Sequence, residues 1–198
     1  MATAPDRLVA FGTTVQLPGQ AVTLTADPGP VLPLAWGALT VADPWWPEYP
    51  DGPIVLLPRG EHPTVLTTAV VDVERLPEPV PMSCAAAVGA VERVVTWRPV
   101  LHREADFQLD SDSALGAFFD INEEDVLRPL FTDDLHMQGV YNRALDERVV
   151  TMEADGRVVA VVFLCPNGSG LYSAYKGYDK DGQAVAVLVD LRVLDYAT

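Results

Sequence analysis

Chemistry in this chain would have to come from its carboxylates. Four aspartates stand inside short patterns: Asp43 in VADP, Asp112 and Asp120 at the two ends of DSALGAFFD, and Asp190 within VAVLVDLRVL. Oxygen ligands suit Mg²⁺ or Ca²⁺, so aspartates that converge in space would support a divalent-metal-dependent hydrolase. The plainer reading assigns them to caps, turns and one paired charge. Asp43 precedes Pro44 at a strand end, which suits a turn. Asp190 shares a face with Leu188 and Arg192 on strict alternation. If that face is buried, the carboxylate needs a partner, with Arg192 or Arg93 as candidates. A glycosidase-like pair needs carboxyls roughly 5 to 10 Å apart, a separation that spacing along the chain does not supply.

Other chemistry is poorly equipped. Ser83 and Ser169 lack the GxSxG elbow. Cys84 and Cys165 lie far apart in apolar surroundings without a CxxC, as expected of two buried, reduced thiols. His62, His102 and His136 have no metal-ligand spacing such as HExxH, so no metal site and no cofactor is expected from them. No GxxxxGK[ST] occurs, and NGSGLY reads as a tight strand connection. The sequence therefore assigns no catalytic residue.

The stretch DPWWPEYPDGP differs in kind. It sets Trp45, Trp46 and Tyr49 among prolines and acids, and rigid loops bearing aromatics make recognition surfaces. Against that stands a loop whose tryptophans cover the end of a β-core. The chain of 198 residues carries a net charge of -15. Such a surface repels phosphate backbones and anionic lipid, so nucleic acid and membranes are not expected partners and a basic protein is. The N-terminal residues lack an apolar stretch of signal-peptide length, and no run long enough to span a bilayer occurs. A cytoplasmic protein is expected.

The elements that must position these residues read as mostly β. The length suits one domain, residues 1–198, with N-terminal strands in 1–36. Candidate strands are Leu8–Phe11, Ala21–Ala26, Gly37–Ala42, Ile54–Leu57 and Thr64–Glu74. LPEPVP reads as an extended loop. In CAAAVGAVERVVTW the alanines favour helix and the second half favours strand. DSDSALGAFFD reads as a turn-rich entry to a helix in INEEDVLRPLF, with Asp120 as its N-cap and Glu123 three residues on. A second helix is expected over Asp133–Asp146. ERVVTM-EADG-RVVAVVFL and LYSAYKGY-DKDG-QAVAVLVDLRVL read as two hairpins, together a four-stranded antiparallel meander. DKDG imitates a calcium loop, but in that register Gly177 and Leu188 would occupy ligand positions and neither offers a side-chain oxygen. The fold class expected is α+β, mainly β: an antiparallel sheet or sandwich with two short helices.

The motifs VADP, LPRGEHPTVL, ERVV, DSALGAFFD and NGSGLYSAYKGYDKDGQAVAVLVDL, in this order, resemble a bacterial family of domains of unknown function, DUF4241. The resemblance covers residues 37–194 and implies a mainly β fold without an assigned activity. It implies a glycine-aspartate-glycine before the tyrosine, where this chain has Gly168-Ser169-Gly170 before Tyr172. Tyr172 joins the candidate binding residues on that basis. Three function classes follow. The foremost is a non-enzymatic acidic protein-binding module of immunity or antitoxin type. The alternatives are the metal-dependent hydrolase and a structural, oligomerising protein.

Overall fold

A computed structural model describes residues 5–17, 19–45, 52–72 and 78–196. A short helix α1 (Pro5–Leu8) precedes a hairpin of β1 (Thr14–Leu17) and β2 (Gln20–Thr23). There follow β3 (Thr25–Leu34), β4 (Ala38–Ala42), β5 (Ile54–Leu56), β6 (Gly60–Val71) and β7 (Val80–Gly89). A 3₁₀ turn at Val91–Arg93 leads to β8 (Thr96–Pro99), the small hairpin β9 (Leu101–His102) and β10 (Ala105–Asp106), then β11 (Gln108–Ser111) and β12 (Leu115–Asp120). Helices α2 (Glu124–Phe131) and α3 (Asp134–Glu147) come next. The chain closes with β13 (Val149–Ala154), β14 (Arg157–Leu164), β15 (Gly170–Tyr178), β16 (Ala184–Asp190) and a last turn, α4 (Val193–Tyr196).

Apart from the hairpins β1-β2 and β9-β10, the strands form two antiparallel sheets. The larger has the order β11-β15-β16-β7-β6-β3, with β8 beside β11 along the same edge of β15; the smaller has the order β13-β14-β12-β4-β5. The period-two alternation of side chains then builds layers. Leu39, Val41, Phe118 and Phe163 of the smaller sheet meet Leu66, Val88, Tyr172 and Val187 of the larger in one core. The opposite face of the smaller sheet, with Ala117, Phe119 and Val162, lies under Leu127, Phe131, Met137 and Val140 of the helices. The opposite face of the larger sheet, with Ala85, Ala87 and Leu188, lies under Leu8, Val22 and Leu24 from the N-terminal segment and Val193 and Leu194 from the C-terminal one. Burial of a side chain such as Phe118, 1 % exposed, contributes about 1.5–3 kcal/mol. The mainly β α+β sandwich is the fold.

Several local expectations are corrected. Leu8–Phe11 is the end of α1 and a turn rather than a strand, because Leu8 is needed as a fully buried plug on the larger sheet. The alanine run Ala85–Ala87 is strand: it lies in β7 between β6 and β16, where ladder bonds and burial on both faces outweigh helix propensity. Within VERVVTW, strand begins only at Thr96, after the 3₁₀ turn. Val80 and Pro81 of LPEPVP open β7, with proline at the strand's start where a missing donor is tolerated; Leu76 and Pro77 fall outside the described residues. Residues 115–120 form a central strand whose six residues are all buried, so no alternation betrays it in sequence. The two C-terminal hairpins are both present, but they do not form one meander. β14 is already flanked by β12 and β13, so it has no free edge, and the chain crosses at Cys165–Ser169 to the other sheet.

Candidate functional site at the end of the sandwich

The sequence patterns meet where β4 ends, β12 begins and β14 crosses to β15. Asp43, just past β4, is 6 % exposed. Its Oδ1 accepts from Trp45 N at 2.9 Å and from Ser113 Oγ at 2.6 Å. Its Oδ2 accepts from the backbone N–H groups of Asp112 and Ser113, both at 2.8 Å. The carboxylate thus holds the bend before β12 against the end of β4. Ser169 Oγ donates to Asp112 O at 2.7 Å, and the Tyr172 hydroxyl donates to Gly168 O at 2.5 Å. Asn167 Nδ2 donates to Leu191 O at 3.0 Å. VADP, DSDSALG and NGSGLY are brought together here, leaving Asp112, Asn167 and Ser169 exposed at the rim. Ser111 and Ser113, which sequence reasoning missed, are part of the same knot; the density of Ser and Asp over 110–113 was their one signal.

Of the remaining candidate aspartates, Asp120 is elsewhere, and Asp190 adjoins the knot one residue before Leu191, whose carbonyl accepts from Asn167. Asp120 lies at the far end of β12, roughly 16 Å along the strand from Leu115. It is fully buried, with Oδ2 accepting from Trp36 N at 2.8 Å and Oδ1 from Asn122 N and Nδ2. It caps a second 3₁₀ turn, Ile121–Glu123, rather than α2 directly, and Glu123 reaches Arg157 instead of closing a capping box. Asp112 and Asp120 therefore do not share a site. Asp190 is 2 % exposed at the end of β16, and its Oδ1 accepts from the Arg192 backbone N–H at 2.8 Å. Among the described residues no group of three His, Cys, Asp or Glu is arranged to hold a metal ion.

Trp45 is half-buried with its ring 6.2 Å from that of Tyr141, and its Nε1 donates to Asp134 Oδ1 at 3.4 Å, so it packs onto α3. Trp46 and Tyr49 lie outside the described residues. Burial pushes both thiols up to about 12. The charge of Asp190 adds to this at Cys84; at Cys165 a hydrogen bond with Ser111 works the other way and Asp43 adds to the rise. Both thiols are protonated at neutral pH and serve as packing. His62 is buried with Nε2 2.7 Å from Pro58 O, and His102 packs edge-on against Phe107.

The DKDG segment is a clasped turn. Asp179 Oδ1 accepts from the backbone N–H groups of Asp181 and Gln183, both at 3.0 Å, and Oδ2 from Arg93 Nη2 at 2.8 Å. Every partner is a donor, the opposite of what a bound cation requires. Gly182 has φ +76°, open to glycine without strain. The Arg93 candidate for Asp190 is thus committed to Asp179. The Gln183 N–H first, with the Asp181 N–H and Arg93, holds the Asp179 carboxyl below its ordinary value. A depressed carboxyl contributes stability above its unfolded-state value, near 3.9, and loses it as pH falls through the folded value. The difference in Tm between wild type and Asp179→Asn is therefore expected to be constant above about pH 5 and to shrink on acidification below that; a gap that widens toward low pH would contradict the clasp.

Geometry defines a class: a two-sheet antiparallel sandwich with a helical layer on one face and three of its polar motifs, VADP, DSDSALG and NGSGLY, knotted together. Residues 32–189 match the model of the family described as proteins of unknown function, DUF4241, and the chain belongs to that family. The match includes Asp43, Asp112, Asp120 and Tyr172 and ends one residue before Asp190. No curated protein and no solved structure matches the chain. Among the described residues no helix is long and apolar enough to cross a membrane.

Proposed function

We propose that this protein is a non-enzymatic, acidic binding module, immunity- or antitoxin-like, that docks a basic protein partner on the outer face of α3. The observation that carries this reading is Leu135, 88 % exposed on α3. Leu145, 51 % exposed, lies on the outward side of the same helix. Asp134 and Asp146 stand beside these leucines, and the N-cap Asp133 adds a further charge. Apolar side chains within a charged rim follow the anatomy of protein interfaces. One turn on from Leu135, a Cβ at Gly139 would meet nothing within 4 Å, so a partner's backbone can approach closely there. A net charge of -15 accelerates encounter with a basic surface and makes the encounter salt-sensitive.

The test is affinity capture from an extract of the source organism at low and high salt, followed by calorimetry with the purified partner. The expected result is one stoichiometric basic protein, released at high salt. Its affinity should fall at least fivefold for Leu135→Ala and further for the Leu135→Ala, Leu145→Ala double variant. A partner that binds the double variant as tightly as wild type would overturn the assignment to α3, and salt-independent binding would overturn the electrostatic basis.

A further inference from the structure

On the other sheet, the motif YKGYDKDG on β15 and the segment TWRP on β8 bring two basic side chains together. Lys176 of β15 and Arg98 of β8 are directly opposed in the antiparallel register, and so share a face. Arg98 Cζ lies 5.3 Å and Lys176 Nζ 5.2 Å from the centroid of one ring, that of Tyr178. Arg98 is exposed; Lys176 and Tyr178 are half-buried. Like charges directly opposed across a strand pair destabilise it. The ring face offsets part of that repulsion. Among the described residues neither cation forms an ion pair, although the chain carries 28 carboxylates against 13 basic residues. The nearest acid along the strand, Asp179, is already held by Arg93 and two backbone N–H groups. Thr96 lies opposite Tyr178 and adds a hydroxyl-bearing residue to the same face.

We propose that Arg98, Lys176 and Tyr178 form an anion-binding site at this edge of the larger sheet, which takes the phosphate group of a small phosphorylated ligand. A guanidinium fork receives two oxygens of a tetrahedral oxyanion, and the ammonium supplies a second point charge. A phosphomonoester carries close to two negative charges at neutral pH, so it neutralises both cations; a monocarboxylate would leave one unmatched. The acidic remainder of the surface repels an extended polyanion. A small ligand reaches the pair nonetheless, because at physiological salt charges beyond about 8 Å are largely screened.

The experiment titrates the ¹⁵N-labelled protein with inorganic phosphate at constant ionic strength, with acetate in parallel. Saturable shifts are expected at the amides of Trp97, Arg98, Lys176 and Gly177. Affinity should fall at least tenfold in Arg98→Ala and in Lys176→Ala and be unchanged in Lys180→Ala, on the turn nearby. Shifts that do not saturate, or that survive in both variants, overturn the site; acetate binding as tightly as phosphate overturns the dianion. Lys176→Glu tests the repulsion without any ligand. Pairing Glu with Arg98 should raise Tm by about 1–3 °C and abolish phosphate binding, whereas a Tm at or below wild type would remove the physical basis of the proposal.

Discussion

Asp43→Ala is expected to lower stability by about 3–4 kcal/mol, a large effect for one side chain. Four donors converge on this carboxylate, and two of them are the backbone N–H groups of Asp112 and Ser113. Alanine leaves these donors without an acceptor at a part-buried site, and each unsatisfied buried group costs about 1–3 kcal/mol, with partial relief where water enters. Asn keeps one oxygen but turns an NH₂ toward donors, so Asp43→Asn should recover little of the loss. Ser113→Ala, which removes one donor, should cost only about 1 kcal/mol. Urea unfolding measures these values, with an unchanged m indicating that the denatured state is unaffected. Native-state hydrogen exchange should accelerate most at Asp112 and Ser113. A loss below about 1 kcal/mol for Asp43→Ala would mean that the knot is held by the strands rather than by the carboxylate.

Gly89→Ala is expected to cost about 3–5 kcal/mol. Gly89 ends β7 at φ +106°, a conformation that side chains rarely adopt. A Cβ there would run into the carbonyl oxygen of Val185 and stand 2.9 Å from Ala186 Cα. Both obstacles are backbone atoms of β16, which is paired on both edges and so cannot retreat without losing ladder bonds to β7 or β15. That same carbonyl accepts from Ala90 N at 2.9 Å, so displacing it also breaks the turn that follows. Thermal unfolding should show a Tm lower by about 6–15 °C. A tolerated alanine would show that β7 and β16 can separate at this end.

Some of this protein is written in short stretches of its sequence. The hairpins around Asp155-Gly156 and DKDG, and the helix starting after Asp133, appear where they were expected, because turn chemistry and capping act over a few residues. The acidic character that supports the proposed partner class is a property of composition alone. The identity of the turn against a calcium loop was also legible, from the absence of side-chain oxygens at Gly177 and Leu188.

Tertiary structure decided the rest. Which sheet each hairpin joins depends on whether β14 has a free edge, and that is settled by β12, more than thirty residues upstream. Ala85–Ala87 became strand because β7 pairs on one edge with the preceding β6 and on the other with β16, far down the chain. Asp43 and Asp112 were both visible as patterned aspartates, but their meeting through a backbone N–H spans 69 positions. Asp120, eight residues from Asp112 in sequence, was carried to the opposite end of a strand. Periodicity and capping report on residues a few positions apart, whereas pairing, burial and hydrogen-bond satisfaction are properties of neighbours that only the folded chain creates.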